Sequence, residues 1–294
     1  MQTGKEAIAA QIAEIERLMN EPDFWADKEA AQAAIKQYQE LKDKLAGVGV
    51  YDKGDAVITI FSGAGGDDAE DFTHMLFEMY LKYAARQGWG VSVVHEHEND
   101  HGGYRNITFH VEGKNVYGML KHESGVHRLV RISPFSAKDQ RHTSFSMVEV
   151  VPVLPKGGAI DIPEQDLSVE FARSGGPGGQ NVNKRETAVR MTHIPTGLSV
   201  HATSERSQQQ NREKALDILK GKIFKYEEER RMKEEAGFHV SKTTEAEWGS
   251  QIRSYVLHPY KLVKDHRTDV EVRDTEAVLE EGDLDAFIEA ERAL

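Results

Sequence analysis

The chain has no cysteine among its 294 residues. Disulfide bonds, thiolate metal sites and thiol nucleophiles are therefore excluded. No apolar run approaches the length needed to cross a bilayer, and the N-terminus lacks the basic and apolar pattern of a signal peptide. We expect a cytoplasmic protein that has no membrane partner and needs neither a metal ion nor a cofactor.

Positive charge is also scarce, because 37 Lys and Arg residues are set against 49 Asp and Glu residues, and the formal net charge is -12. Such a chain does not coat nucleic acid through its overall charge. Any contact with RNA must therefore come from local basic patches. The length is sufficient for two or three domains, each with its own core.

Hydrophobic periodicity divides the chain into four segments with boundaries at 1–48, 49–155, 156–244 and 245–294. The first shows helical spacing with one interruption, which predicts a helical hairpin. The second mixes strands with an amphipathic helix, and the third reads as strand, loop, strand and long charged helix. We expect the fourth to pack on the second. The predicted fold class is multidomain α+β, with strands over 56–61, 90–95, 105–111, 148–154, 168–173 and 198–202 and a helix over 206–235.

The most distinctive segment is a glycine-rich run with Gly178, Gly179 and Gln180 at its centre. Glycine permits positive φ angles and close approach to another surface. No strong nucleophile or metal ligand lies nearby in the sequence, so Gln180 is limited to orienting and polarising a reacting group. Basic residues that suit RNA phosphates flank the run and continue along the long helix: Arg173, Lys184, Arg185, Arg190, Arg206, Arg212, Lys214, Lys220, Lys222 and Lys225.

A second distinctive segment contains Ser133, Pro134 and Phe135, followed by His142 and Thr143. The Ser133 hydroxyl can donate or accept a hydrogen bond, and Pro134 restricts the backbone of the loop. The His142 ring can stack on an unstacked base, and Thr143 offers another hydroxyl. These residue types suit the reading of single-stranded RNA.

Together these motifs resemble those of the bacterial class I peptide chain release factors, over most of the chain from about Tyr51 to the C-terminus. Gly178-Gly179-Gln180 is similar to the universal motif of that family. Ser133-Pro134-Phe135 is similar to the tripeptide of the branch that reads the stop codons UAA and UGA. The resemblance implies a translation termination factor that recognises these codons in the ribosomal A site and triggers hydrolysis of the peptidyl-tRNA ester. It is not a stand-alone enzyme.

The resemblance also assigns roles to single residues. Gly178, Gly179 and Gln180 are the catalytic residues, and the backbone N–H of Gln180 stabilises the oxyanion or the leaving oxygen. The Gln180 side chain is the site of modification to N5-methylglutamine. Trp248 belongs to a switch region that couples decoding to hydrolysis.

The codon-binding residues that the resemblance implies occupy three places in the sequence. Ser133, Pro134 and Phe135 read the second position. His142 stacks on an unstacked base, and Thr143 contacts the third base. Gly66 and Asp68 read the first uridine, at the start of a helix. Asp68 stands where the family usually has glutamate.

The implied organisation and partners follow. Residues 1–48 form a shortened helical N-terminal domain, 49–155 the codon-recognition domain, 156–244 the hydrolysis domain and 245–294 the switch region with the C-terminal segment. The partners are the ribosomal RNA of both subunits, the mRNA stop codon, the P-site peptidyl-tRNA, a glutamine methyltransferase and a recycling GTPase.

Two alternatives stay open. A ribosome-rescue hydrolase shares the glutamine loop but reads no codon, and it often carries a basic tail, unlike the C-terminus of this chain. A catalytically inert RNA-binding paralogue would bind ribosomes without releasing peptide. A free-standing hydrolase is disfavoured, because no set of nucleophile, base and orienting residue accompanies the loop.

Overall fold

The structure, a computed structural model, describes residues 2–21, 24, 28–45, 49, 51–154, 162–172, 187–205, 207–235 and 251–292. The chain divides into two compact units, Met1–Asp52 and Lys53–Leu294. The predicted catalytic run Gly178-Gly179-Gln180 and the predicted switch residue Trp248 lie outside the described residues.

The first unit is the predicted helical hairpin, formed by α1 (Gln2–Met19) and α2 (Lys28–Leu45). Ile12, Ile15 and Leu41 make its small core. Tyr38 packs against this core, and its hydroxyl donates to Glu16 Oε1 at 2.6 Å. Burial of one apolar stripe on each helix therefore holds the hairpin together.

The second unit is built on an eight-stranded sheet in the order β11-β10-β9-β4-β5-β1-β3-β2. Its strands are antiparallel except where β9 runs parallel to β4. The bounds are β1 (Ala56–Ser62), β2 (Gly90–Glu98), β3 (Tyr104–Glu112), β4 (Gly125–Ile132), β5 (Arg141–Pro152), β9 (Gln251–Val256), β10 (Leu262–Asp265) and β11 (Glu271–Val272).

Four α-helices accompany this sheet: α3 (Asp67–Gln87), α4 (Val116–Leu120), α6 (Thr275–Glu281) and α7 (Asp285–Glu291). Phe72 and Leu76 of α3 are buried with Ile58 and Ile60 of the central strand β1. The helix ends at Gly88, whose φ of 73° is the left-handed conformation that glycine adopts without strain.

A second, three-stranded sheet has the order β6-β7-β8, with strands Leu167–Ala172, Ala188–His193 and Ser199–Ala202, and carries the long helix α5 (Gln208–Glu235). Ala215, Leu219 and Ile223 of α5 pack in one cluster with Val57 and Val151 of the large sheet. The three-stranded sheet and α5 are thus packed on the large sheet.

Polar contacts reinforce this packing. The Lys222 ammonium meets Glu149 Oε2 at 2.6 Å, and Lys225 donates to Val150 O at 2.9 Å. Gly221 allows close approach, because a Cβ there would stand 2.4 Å from the carbonyl oxygen of Pro152. In this arrangement Lys222 and Lys225 face protein, so the sequence-based assignment of both to RNA phosphates does not hold here.

The structure confirms the predicted α+β fold and corrects several element boundaries. The strand predicted over 148–154 begins much earlier, at Arg141, and strands β4, β7, β9, β10 and β11 were not predicted. In β4, β5 and β9, charged and polar residues at buried positions obscure the apolar alternation. Arg253 of β9 is fully buried and pairs with Glu123, Asp265 and Glu291.

Candidate functional site

The predicted codon-binding residues come together at one end of the large sheet. Ser133 directly follows β4, and His142 lies opposite Arg131 in the antiparallel β4–β5 pair. The start of α3 is held beside them, since Gly63 N–H donates to Phe145 O at 2.8 Å. Three segments that are far apart in sequence therefore form one site.

Asp68 is the centre of this site. Its Oδ2 accepts hydrogen bonds from Ser133 Oγ and from His142 Nδ1, both at 2.7 Å. Its Oδ1 accepts from Arg131 Nη2 at 3.3 Å. Asp68 is buried, with 4% of its surface exposed. A carboxylate can only accept, so the contact places a proton on His142 Nδ1.

The charge of Asp68 is stabilised by these partners. Burial alone raises the pKa of a carboxyl group, because it disfavours the charged form. The hydrogen bonds from Ser133 and His142 and the charge of Arg131 outweigh burial, so that the pKa of Asp68 lies below its ordinary value. Asp68 is therefore ionised throughout the neutral range.

Arg131 is a site residue that sequence reasoning missed. Its Nη2 also contacts Asp71 Oδ2 at 2.5 Å, and Nη1 lies 3.6 Å from the sulfur of Met75. It thereby joins β4 to the first two turns of α3. The available signal was an arginine placed among Leu129, Val130 and Ile132, since arginine is almost never buried unless it is paired.

The Ser133 hydroxyl makes two hydrogen bonds in this conformation. It donates to Asp68 and accepts from Phe135 N–H at 3.1 Å, and Ser133 is only 2% exposed. Pro134 and Phe135 project from the loop, with Phe135 41% exposed. Thr143 is an exposed residue of β5. To donate to a guanine O6 atom, the Ser133 hydroxyl must release Asp68, whereas a remaining lone pair can accept from adenine N6.

The turn before α3 presents backbone donors. Gly66 is exposed, has a φ of 58° and stands at the N-cap, where no side chain caps the helix. Its carbonyl oxygen accepts from Ala69 N–H and Glu70 N–H. The N–H groups of Asp67 and Asp68 belong to the helix N-terminus, which favours acceptor atoms of a ligand.

The glutamine loop is defined by the strands that flank it. In the register of β6 and β7, Ala172 pairs with Ala188. The predicted catalytic residues lie between these paired ends, outside the described residues. On the flanking strands, Arg190 lies near Glu170, with a contact of 3.8 Å between Arg190 Nη1 and Glu170 Oε2.

None of the helices in the described part of the chain is long and apolar enough to span a membrane. Within the same ranges, no group of three or more histidine, aspartate or glutamate side chains is arranged to hold a metal ion.

Two domain families match this chain. Residues 39–148 match the PCRF domain and residues 156–267 the RF-1 domain. Peptide chain release factor 2 of Thermotoga petrophila is 45% identical over 272 residues, covering 90% of this chain and 74% of that protein. Peptide chain release factor 2 of Lactiplantibacillus plantarum is 44% identical, with coverage of 97% and 88%.

The fold comparison leads to the same family. The solved structure of release factor 2 from Thermus thermophilus superposes with a TM-score of 0.74 at 39% identity, covering 98% of this chain and 81% of that one. The identity over nearly the whole chain, together with both domain matches, shows that this chain belongs to the peptide chain release factor 2 family.

Proposed function

We propose that this ribosome-dependent translation termination factor recognises UAA and UGA through the site centred on Asp68 and triggers peptidyl-tRNA hydrolysis through its glutamine loop. The observation that carries the proposal is the shared hydrogen bonding of Ser133 and His142 to one buried carboxylate. Two base-reading side chains are held by Asp68 beside a helix N-terminus. A site organised in this way before binding loses less entropy when it meets the codon.

Each base has its own group of contacts. Backbone donors at Gly66 and the first turn of α3 suit the acceptor atoms of the first uridine, and Asp68 anchors that turn. Ser133 reads the purine at the second codon position, in a loop shaped by Pro134 and Phe135. The ring of His142 stacks on an unstacked base, and Thr143 offers its hydroxyl to the purine at the third position.

Hydrolysis is the role of Gly178, Gly179 and Gln180. Attack of water on the ester carbonyl develops negative charge on oxygen, and the Gln180 backbone N–H donates to that oxygen or to the leaving ribose oxygen. The glutamine side chain positions water and is the substrate of a methyltransferase that forms N5-methylglutamine. The ribosome supplies the rest of the active site.

The ribosome is the partner of this chain. Its proposed contacts are the ribosomal RNA of both subunits, the stop codon, the P-site peptidyl-tRNA and a recycling GTPase, all in the cytoplasm. Residues 49–155 act in decoding and 156–244 in hydrolysis. Trp248 and the C-terminal residues 245–294 couple the two, and no metal or cofactor takes part.

The test is peptide release from ribosomes that hold an initiator peptide analogue over UAA, UGA, UAG or a sense codon. We expect release on UAA and UGA only. Release on every codon would favour a rescue hydrolase, and binding without release would favour an inert paralogue. Either result would reject the proposal.

A serine variant tests the codon assignment. Ser133→Ala removes the hydroxyl that contacts Asp68 and should raise the half-saturating factor concentration on UAA and UGA roughly 5- to 150-fold, the range for one lost base contact. Ser92→Ala, at an exposed position on β2, is the matched control. Equal half-saturating concentrations for the two variants would remove Ser133 from the site.

A further inference from the structure

The turn between β2 and β3, residues 99–103, lies beside the codon-reading loop and presents an imidazole. His101 is exposed, and its ring centroid is 6.0 Å from that of Phe135, with an interplanar angle of 45°. Phe135 is itself 41% exposed. The two rings thus form one accessible aromatic surface, which we call the His101–Phe135 platform.

The turn that carries His101 is internally fixed. The Asn99 side chain accepts from the N–H groups of His101 and Gly103, each at 2.8 Å. Gly102 takes a left-handed φ of 83°. The hydrogen bonds of Asn99 and the left-handed backbone of Gly102 therefore fix the conformation of the turn that carries His101.

The same turn is clamped to the start of α3. Asn99 Nδ2 donates to Glu70 Oε2 at 2.5 Å, and Arg105 Nε donates to Glu70 Oε1 at 3.1 Å. Gly103 packs against the Glu70 backbone, where an added Cβ would stand 2.7 Å from the carbonyl carbon. Since α3 also carries Asp68, the platform is held in fixed relation to the codon-binding site.

The charges around the turn select the chemistry of a ligand. Glu98 and Asp100 are both exposed on either side of Asn99. Carboxylates at these positions repel phosphates, so the backbone of a nucleic acid is disfavoured here. The face of a base carries no formal charge and stacks on histidine or phenylalanine rings.

We propose that the His101–Phe135 platform binds an unstacked RNA base next to the stop codon, so that His101 is a binding residue for termination. The proposal rests on the proposed function. The base belongs either to the mRNA nucleotide that follows the codon or to ribosomal RNA, since both present the same π face. Loss of one base–aromatic stack weakens binding roughly 5- to 150-fold.

The experiment measures the half-saturating factor concentration and the maximal rate of peptide release on UAA and UGA. His101→Ala should raise the former roughly 5- to 150-fold and leave the latter within about twofold, because the ester is hydrolysed at a different centre. His101→Phe keeps a stacking ring and should stay close to the parent protein. His97→Ala, an exposed histidine on β2, is the matched control.

A double variant separates RNA stacking from a purely structural contact. If His101 only supports Phe135, then adding His101→Ala to Phe135→Ala changes nothing further, and the proposal is overturned. If the imidazole itself stacks on a base, His101→Ala weakens binding in that background too. An unchanged half-saturating concentration for the single His101→Ala variant overturns the proposal as well.

The source of the base is resolved by the message. On mRNA with an abasic site after the stop codon, the His101→Ala defect disappears if the mRNA base is the ligand and persists if ribosomal RNA supplies it. Failure of the parent protein to release peptide on UAA and UGA would instead reject the proposed function. In that case binding of the variants to ribosomes programmed with a stop codon still tests the platform.

Discussion

Replacement of Asp68 by asparagine tests whether this carboxylate organises the codon-binding site. Asparagine has the same shape but one acceptor oxygen and no charge. That oxygen can keep Ser133 and His142, whereas the new NH₂ group faces the Arg131 guanidinium. Hydrogen bonds to charged groups contribute about 1.5–3 kcal/mol and neutral ones about 0.5–1.5 kcal/mol. Two weakened bonds and the lost contact with Arg131 therefore lower the free energy of unfolding by at least about 2–3 kcal/mol.

Urea unfolding measures the loss of unfolding free energy in Asp68→Asn, and this loss depends on pH. Because the pKa of Asp68 is lower in the folded state, its contribution is fully present above the unfolded value of about 4 and is lost as pH falls through the folded value. The difference in the free energy of unfolding between the parent protein and Asp68→Asn should therefore be constant from about pH 5 to 8. It should shrink in more acidic solution.

Release titrations measure how strongly Asp68→Asn still binds the ribosome at a stop codon. The half-saturating concentration of Asp68→Asn on UAA and UGA should rise about tenfold, which corresponds to about 1.4 kcal/mol of lost preorganisation. The maximal rate should be retained. Asp67→Asn, at an exposed position one residue earlier, should match the parent protein in both assays. Parent-like stability and parent-like titrations for Asp68→Asn would refute the central role of this carboxylate.

Two further predictions concern buried charges away from the codon site. Lys222→Met removes the 2.6 Å ion pair with Glu149, in which the lysine side chain is only 9% exposed. This variant should lower the free energy of unfolding by about 1–3 kcal/mol and increase the radius of gyration measured by X-ray scattering. An unchanged stability and scattering profile would show that this pair does not hold α5 on the sheet. Burial and the charge of Glu123 raise the pKa of Glu291 to about 9, so Glu291→Gln should stay within about 1 kcal/mol of the parent near pH 4.5, where this side chain is protonated in the folded protein. Because the folded-state pKa is raised, the parent should lose stability relative to the variant as pH rises from about 4.5 to 9, and a pH-independent difference in unfolding free energy would contradict the protonated state.

The buried cluster around Arg253 gives the physical reason for the Glu291 prediction. Three carboxyl groups, those of Glu123, Asp265 and Glu291, surround the guanidinium groups of Arg253 and Arg267. Glu291 Oε2 is buried and has no hydrogen-bond partner among the described residues. One carboxyl group therefore exceeds the available positive charge, and a proton on Glu291 removes the excess.

Local sequence determined much of this protein. The glycine-rich run around Gln180 and the Ser133-Pro134-Phe135 loop were recognisable because their chemistry depends on short contiguous motifs. Helix α3 and the hairpin helices followed from apolar periodicity, which reports directly on a buried face. The α+β class followed from the order of these elements.

Tertiary structure alone decided how the codon site is assembled. Arg131 and His142 lie 63 and 74 residues after Asp68 along the chain, and no local pattern encodes their contacts with it. The pairing of β9 beside β4 and the packing of α5 on the large sheet are likewise long-range choices. Sequence periodicity reports which face of an element is buried, but the partner that buries it is selected only when the whole chain has folded.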